Sequence, residues 1–337
     1  MELLRIVAML FVLVLHAGYM VFGKPAPAGI REEPFAAALP IFTETATIVA
    51  VDVFVLISGW FGLRASLAGA VRLLFQCIFI ALAVLSMSAV LVVADGCAPP
   101  TAKAIYDSFF NYWFLWSYLI LYVISPVLNA YAERAGKRHF GWLLASFYLV
   151  QTLTDSFAFS DDFQSGHSAL SFAGLYLLAR YVRLHCPRLT RIRTRRCLAV
   201  YLLYVVSVTL LTETVAFVFP DSLFDVVAGR LIRYSSPLVV VAAMALVLAF
   251  ARLRFTSRVV NTLAAGSFAA YLLNCNELLL PFHIVPLLWL RDHLPIAPFL
   301  CTAMAYIIVF FLAAVLLDRL RIICWRHLAR HTALTQN

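Results

Sequence analysis

Charge is scarce in this chain. Only 13% of its 337 residues are Asp, Glu, Lys or Arg, whereas 64% are hydrophobic and the mean hydropathy is +0.92. Soluble domains carry about 25% charged residues. No stretch is polar enough to form a separate soluble domain. Also absent are the roughly ten-residue alternating segments of barrel strands. Instead, apolar runs of about 20 residues recur along the chain, the length a helix needs to cross a bilayer with its backbone satisfied internally. The expected class is all-α integral membrane.

Other absences narrow the function. The seven cysteines are odd in number and include no C-x-x-C pair, which argues against a disulfide framework or a zinc site; no metal is expected. Cys97 alone falls in an expected external loop. There is no G-x-S-x-G elbow around any serine. There is no internal repeat, and no pair of Gly/Pro-broken helices of the kind that marks a transporter site. The net charge of +9 does not point to nucleic acid, because basic residues of a membrane chain collect in cytoplasmic loops.

About ten spans are predicted, near 2–22, 41–63, 71–94, 108–131, 140–159, 167–184, 197–219, 234–251, 259–280 and 298–318. With the N-terminus inside, 18 loop cations lie on the cytoplasmic side, among them Arg64, Arg72, Arg254 and the cluster from Arg188 to Arg196, against six outside. That asymmetry predicts N-in and C-in. Two outer loops, "SDDFQSG" (160–166) and "PDSLFD" (220–225), are acidic or neutral. Residues 1–320 read as one polytopic domain. Residues 321–337 read as a basic cytoplasmic tail, whose amphipathic "RLRIICWRHLARH" is expected to lie along the inner leaflet.

The first span, "ELLRIVAMLFVLVLH", carries Arg5 and His16. Eleven residues are three helical turns plus about 20°, so both side chains share one face, about 16 Å apart along the axis. Glu2, three positions before Arg5, is placed to pair with it. An imidazole inside the hydrocarbon layer is costly and marks a cavity or a partner.

This stretch resembles the first span of the membrane acyltransferase-3 family, and further matches follow in order. "VDVFVLISGWFGLR" (51–64) is similar to the family's second span. "NYWFLWSYLILYVISPVLN" (111–129) is similar to its Tyr-Trp-Phe-Leu segment with a Pro-x-x-Asn end. "GHSALSFAGLYLLARYVR" (166–183) resembles its mid-chain span, and "GSFAAYLLNCN" (266–276) its late Ser-Phe-x-x-Tyr-Leu-x-His motif. The last match departs from the family, because Asn274 stands where many relatives have His, and Asn cannot relay a proton.

The resemblance implies transfer of an acyl group, usually acetyl from acetyl-CoA as co-substrate, to a hydroxyl of a cell-surface carbohydrate or lipid-linked glycan. The setting would be the bacterial inner (plasma) membrane. His16 is the candidate base or acyl carrier. Asp52, one and a half turns outside Ser58 in span 2, is the candidate to orient it. Arg5, Arg64 and Arg72 are candidates for the phosphates of CoA, with Ser58 a further donor-side contact beside Gly59, which also suits close helix packing. Asn274, Asn276, Glu277 and Trp113 are candidates for the acceptor; Tyr112, Trp116 and Tyr118 join Trp113 at the expected outer end of span 4. Some relatives carry an extracytoplasmic hydrolase-like domain. The chain ends at Asn337, so either the membrane core completes transfer alone or a separate extracytoplasmic partner protein does. The competing reading is a transporter or exporter of a polar solute.

Overall fold

A computed structural model of the chain describes residues 1–95, 98–157, 162–253 and 255–330. Cys97, Arg254, part of the 160–166 loop and the tail beyond 330 lie outside the described residues. Among the described residues the structure is helical, without strands: α1 (Glu2–Phe22), α2 (Pro27–Glu32), α3 (Pro34–Thr47), α4 (Ala50–Phe61), α5 (Leu67–Asp95), α6 (Ala102–Phe110), α7 (Trp113–Arg134), α8 (Lys137–Phe157), α9 (Ala169–His185), α10 (Pro187–Thr190), α11 (Thr194–Val218), α12 (Asp221–Ile232), α13 (Pro237–Ala251), α14 (Arg258–Asn274), α15 (Leu280–His293) and α16 (Ile296–Arg330).

Among the described residues, seven segments are long and apolar enough to cross a membrane: α1, α3–α4, α5, α6–α7, α11, α12–α13 and α16. Three of the ten expected spans fall outside this set. α9 and α14 are 17 residues long, and α8 opens on Lys137, Arg138 and His139.

The helices group into two compact units. The first joins Met1–Arg64 to Phe114–Phe255. Its centre is α4, which packs on α9, α13 and α1, while α3 packs on α1 and α11. Val49, Val55, Leu56, Phe172, Tyr176, Val239 and Val247 form its buried interior. Gly59 permits the α4–α9 contact: a methyl there would overlap the Tyr176 carbonyl oxygen and lie 2.8 Å from the Tyr176 Cα. Close helix packing is therefore the use the fold makes of Ser58-Gly59's small residue. At one edge, Ile30, Ile41, Val215, Ala216 and Phe224 close a smaller cluster under α2 and α12. Arg31 fastens it by donating to the Ala216 carbonyl at 3.0 Å and pairing with Asp221.

The second unit joins Ala65–Trp113 to Thr256–Asn337 and is built from α5, α6 and α14–α16. Gln76, Asp318 and Arg321 form a buried polar trio, with bonds of 2.8–2.9 Å to the Asp318 carboxylate. α16 runs 35 residues without interruption. As far as Arg330, the expected tail is therefore a continuation of the last helix rather than a separate element; no Gly or Pro follows Pro298 to end it. The expected span 259–280 stops early, at Asn274, because Asn276 turns the chain by accepting the Leu278 N–H at 3.0 Å and Pro281 starts α15.

Candidate active site

α1 is unbroken from Glu2 to Phe22, so Arg5 and His16 do share a face. The Arg5 guanidinium reaches both Glu2 oxygens, at 3.0 and 2.9 Å. The Ser58 hydroxyl donates to the Phe54 carbonyl at 3.0 Å, so it accepts from the Tyr118 hydroxyl at 3.1 Å. Ser58 and Tyr118 thus form one polar pair. Tyr118 is a partly buried partner of α4.

Beyond Ser58, the end of α4 is held by residues that sequence reasoning passed over. Tyr176 accepts the Leu63 N–H at 2.8 Å and donates to Asn129 at 2.7 Å, and Asn129 donates to the Leu63 carbonyl at 2.8 Å. Arg183 donates to the Trp60 carbonyl and lies over the Trp60 and Phe61 rings at 5.9 and 5.5 Å. Arg180 is buried, faces Glu133 at 3.5 Å, and has an Nε atom with no hydrogen-bond partner. Arg64, two residues past Gly62, is exposed. The signal available in sequence was the i, i+3 pair Arg180/Arg183 at the end of a helix, which reads as simple topology marking.

His16 is half-buried, near the other end of α1. One turn further, the Tyr19 hydroxyl donates to Glu44 of α3. Tyr19 and Glu44 line a cavity of about 350 Å³ with Lys24, His167, Asp225 and Arg233 among the other walls. Lys24 pairs with Asp225 at 2.7 Å. Arg233 donates to the Asp155 carbonyl at 3.0 Å. The structure puts His167 in a tight turn ahead of α9 rather than within a span. Gly166 in that turn has φ +99, and a side chain there would collide with Tyr234 and Ser235. Burial pushes the His167 imidazole below its ordinary range, against the opposing effect of its Nδ1 bond to the Gln164 carbonyl.

Asp52 is fully buried, and neither carboxyl oxygen has a hydrogen-bond partner. It is therefore not hydrogen-bonded to His16. The Tyr148 and Tyr204 hydroxyls are likewise buried without hydrogen-bond partners. The remaining candidates belong to the second unit. Arg72 is exposed on α5. The Asn276 amide is spent on Ser108 and Tyr112, with bonds of 2.9–3.3 Å. Asn274 bonds the buried His283 at 2.9 Å. Exposed Glu277 accepts from Asn111 at 3.2 Å. Trp113 is 37% exposed at the start of α7. Among the described residues, no three His, Cys, Asp or Glu side chains assemble as a metal site requires.

A half-buried imidazole and an arginine thus share one face of a helix long and apolar enough to cross a membrane. The chain belongs to the acyltransferase-3 family, whose acyltransferase domain matches residues 1–319. Searches of curated proteins and of solved structures returned no match.

Proposed function

We propose that this acyltransferase moves an acyl group, acetyl from acetyl-CoA, onto a hydroxyl of a cell-surface carbohydrate or lipid-linked glycan at the bacterial inner membrane. The chain would cross the bilayer about ten times with both termini inside, α8 and the shorter α9 and α14 completing the set. The observation that carries the reading is α1, one continuous helix with Arg5 near one end and the half-buried His16 toward the other, on a shared face. The phosphates of CoA suit Arg5 and Arg64, with Arg180 and Arg183 behind the same turn; Arg72 is a further candidate on its own unit. His16 takes the proton of the acceptor hydroxyl as its oxygen attacks the thioester carbonyl. The C–S bond breaks, CoA leaves as thiolate, and the proton on His16 restores the thiol. In the alternative order, His16 attacks first and passes the acyl group on. Asp52 makes no direct bond to His16. A separate extracytoplasmic partner would supply or release the glycan.

The test uses protein in vesicles with radiolabelled acetyl-CoA and a cell-envelope extract as acceptor source. Wild type consumes the thioester and labels glycan; His16→Ala inserts normally and does neither. Label held by the protein identifies the acyl-His route. Full activity in His16→Ala removes the assignment, and no thioester loss in wild type favours a transporter.

A further inference from the structure

Another cavity of the first unit, of about 420 Å³, opens where α8 begins beside the end of α9. Its walls are Lys137, Arg138, Gly141, Trp142 and Tyr181. We infer that it binds the headgroup of an anionic phospholipid, whose acyl chains lie along the exposed face of α8. This goes beyond the transfer reaction and rests on the reading above that α8 crosses the bilayer.

Three observations carry the inference. The first is charge. Lys137 and Arg138 bring two cations to the cavity, and among the described residues no carboxylate lines it. Neither cation has an ion-pair partner among those residues. Glu133, four residues before Lys137, faces Arg180 instead. Uncommitted guanidinium and ammonium groups suit a phosphate. The second is the pair of rings. Trp142 and Tyr181 wall the same cavity, and such amphipathic rings settle at headgroup level in a bilayer. The Tyr181 ring is held edge-on by Phe140 at 5.3 Å. A methyl on Gly141 would stand 3.1 Å from the Tyr181 oxygen, so the glycine keeps that polar tip clear.

The third is what continues from the cavity. Arg138, Trp142, Leu149 and Leu153 follow one another along one line of α8, and all four are exposed. The other side of the helix is committed, because Phe140 and Leu144 are buried against Leu177 and Tyr181 of α9. From Trp142 to Leu153 the bare apolar line runs about 16 Å, close to half of a hydrocarbon layer of about 30 Å. A cationic cavity therefore heads an apolar strip the length of one leaflet. A phosphate free in water has no use for the strip, whereas a lipid uses both parts. The volume of about 420 Å³ holds roughly fourteen water-sized groups, enough for a phosphate with its glycerol. A zwitterionic headgroup would bring an ammonium toward Lys137 and Arg138, whereas an anionic one gains about fivefold per cation.

The experiment uses the full chain in detergent with equal amounts of dioleoyl phosphatidylglycerol and dioleoyl phosphatidylcholine, and native mass spectrometry reads the lipid retained. Wild type should retain phosphatidylglycerol at least tenfold over phosphatidylcholine. Lys137→Gln together with Arg138→Gln should bring the two within twofold of each other, and Trp142→Ala should lower retained phosphatidylglycerol at least threefold. Arg134→Gln, which removes an exposed cation outside the cavity, should keep the wild-type preference. Circular dichroism checks that each variant is folded. Equal retention by wild type, or a preference that survives the double substitution, overturns the inference. So does displacement of the lipid by millimolar glycerol 3-phosphate or coenzyme A, which would make this a site for a soluble phosphate. Quenching of Trp142 fluorescence by brominated phosphatidylcholine in nanodiscs, taken as the difference between wild type and Trp142→Phe, tests the span by itself. Its absence removes α8 from the bilayer and the inference with it, whereas quenching without a headgroup preference keeps the span and overturns the site alone.

Discussion

Replacing Gly59 by Ala tests how the cationic end of the site is held. The added methyl would overlap the Tyr176 carbonyl oxygen, lie 2.8 Å from the Tyr176 Cα and 3.0 Å from the Ala179 Cβ. Carbon atoms settle at about 3.5–4.0 Å. The obstacles are mainly backbone, so α4 and α9 must part by on the order of 0.5–1 Å, a gap that already forfeits a quarter to a half of each contact across the seam. Overpacking of this kind costs about 1–3 kcal/mol. The same shift stretches the Leu63–Tyr176 bond of 2.8 Å, which crosses the seam, toward the limit at which a hydrogen bond survives. Gly59→Ala should therefore lower unfolding free energy by about 1–3 kcal/mol in denaturant titrations from mixed micelles, and raise the acetyl-CoA KM in the folded fraction. Gly29→Ala is the control, because nothing lies within 4 Å of a methyl there. If the two variants unfold alike and both use acetyl-CoA like wild type, the α4–α9 seam does not position the site.

Further outcomes are specific. Arg5→Ala should raise the KM for acetyl-CoA more than that for acceptor, whereas Glu2→Ala, removing a half-exposed partner, should cost less than about 1 kcal/mol of stability; a larger acceptor effect in Arg5→Ala places Arg5 elsewhere. Asn274→Ala deprives buried His283 of a 2.9 Å bond and should cost about 1–3 kcal/mol with little change in turnover per folded molecule, so a loss as deep as that of His16→Ala would give the second unit a chemical role. The folded His167 titrates below its unfolded value of 6.5, so its contribution is present above that pH and is lost as pH falls through the folded value. Between pH 7.5 and 5, the thermal midpoint of wild type should fall more than that of His167→Gln, and parallel slopes would refute this.

The sequence reading followed runs and periods, and it succeeded where those decide structure. α1 was legible to the residue, and with it the Arg5–Glu2 pair and the shared face of Arg5 and His16, because an apolar segment without an interior proline has one regular solution. Hydropathy does not register where a run bends: the turn after Asn274 depends on Asn276 and Pro281, and it divides what looked like one span. Short helices such as α2, α6 and α12 lack the length to announce themselves. The grip on α4 was invisible for a different reason. Tyr176 lies 113 residues from Leu63 and Asn129 lies 66 residues from it, so no local pattern links them. Asp52 illustrates the reverse case, since antiparallel adjacency suggested a bond to His16 that side-chain geometry does not make.

The 35 residues of α16 amount to roughly 52 Å of helix, well beyond a hydrocarbon thickness of about 30 Å. Asp318 and Arg321 fall about 33–38 Å from its start, so their buried pair sits near one boundary of the oil layer while the helix continues past it to Arg326 and Arg330. The helix is in effect a gauge. Its apolar part fixes the membrane thickness in which the second unit rests without mismatch, and reconstitution into lipids with progressively longer acyl chains should draw the Asp318–Arg321–Gln76 cluster into hydrocarbon and lower stability there first.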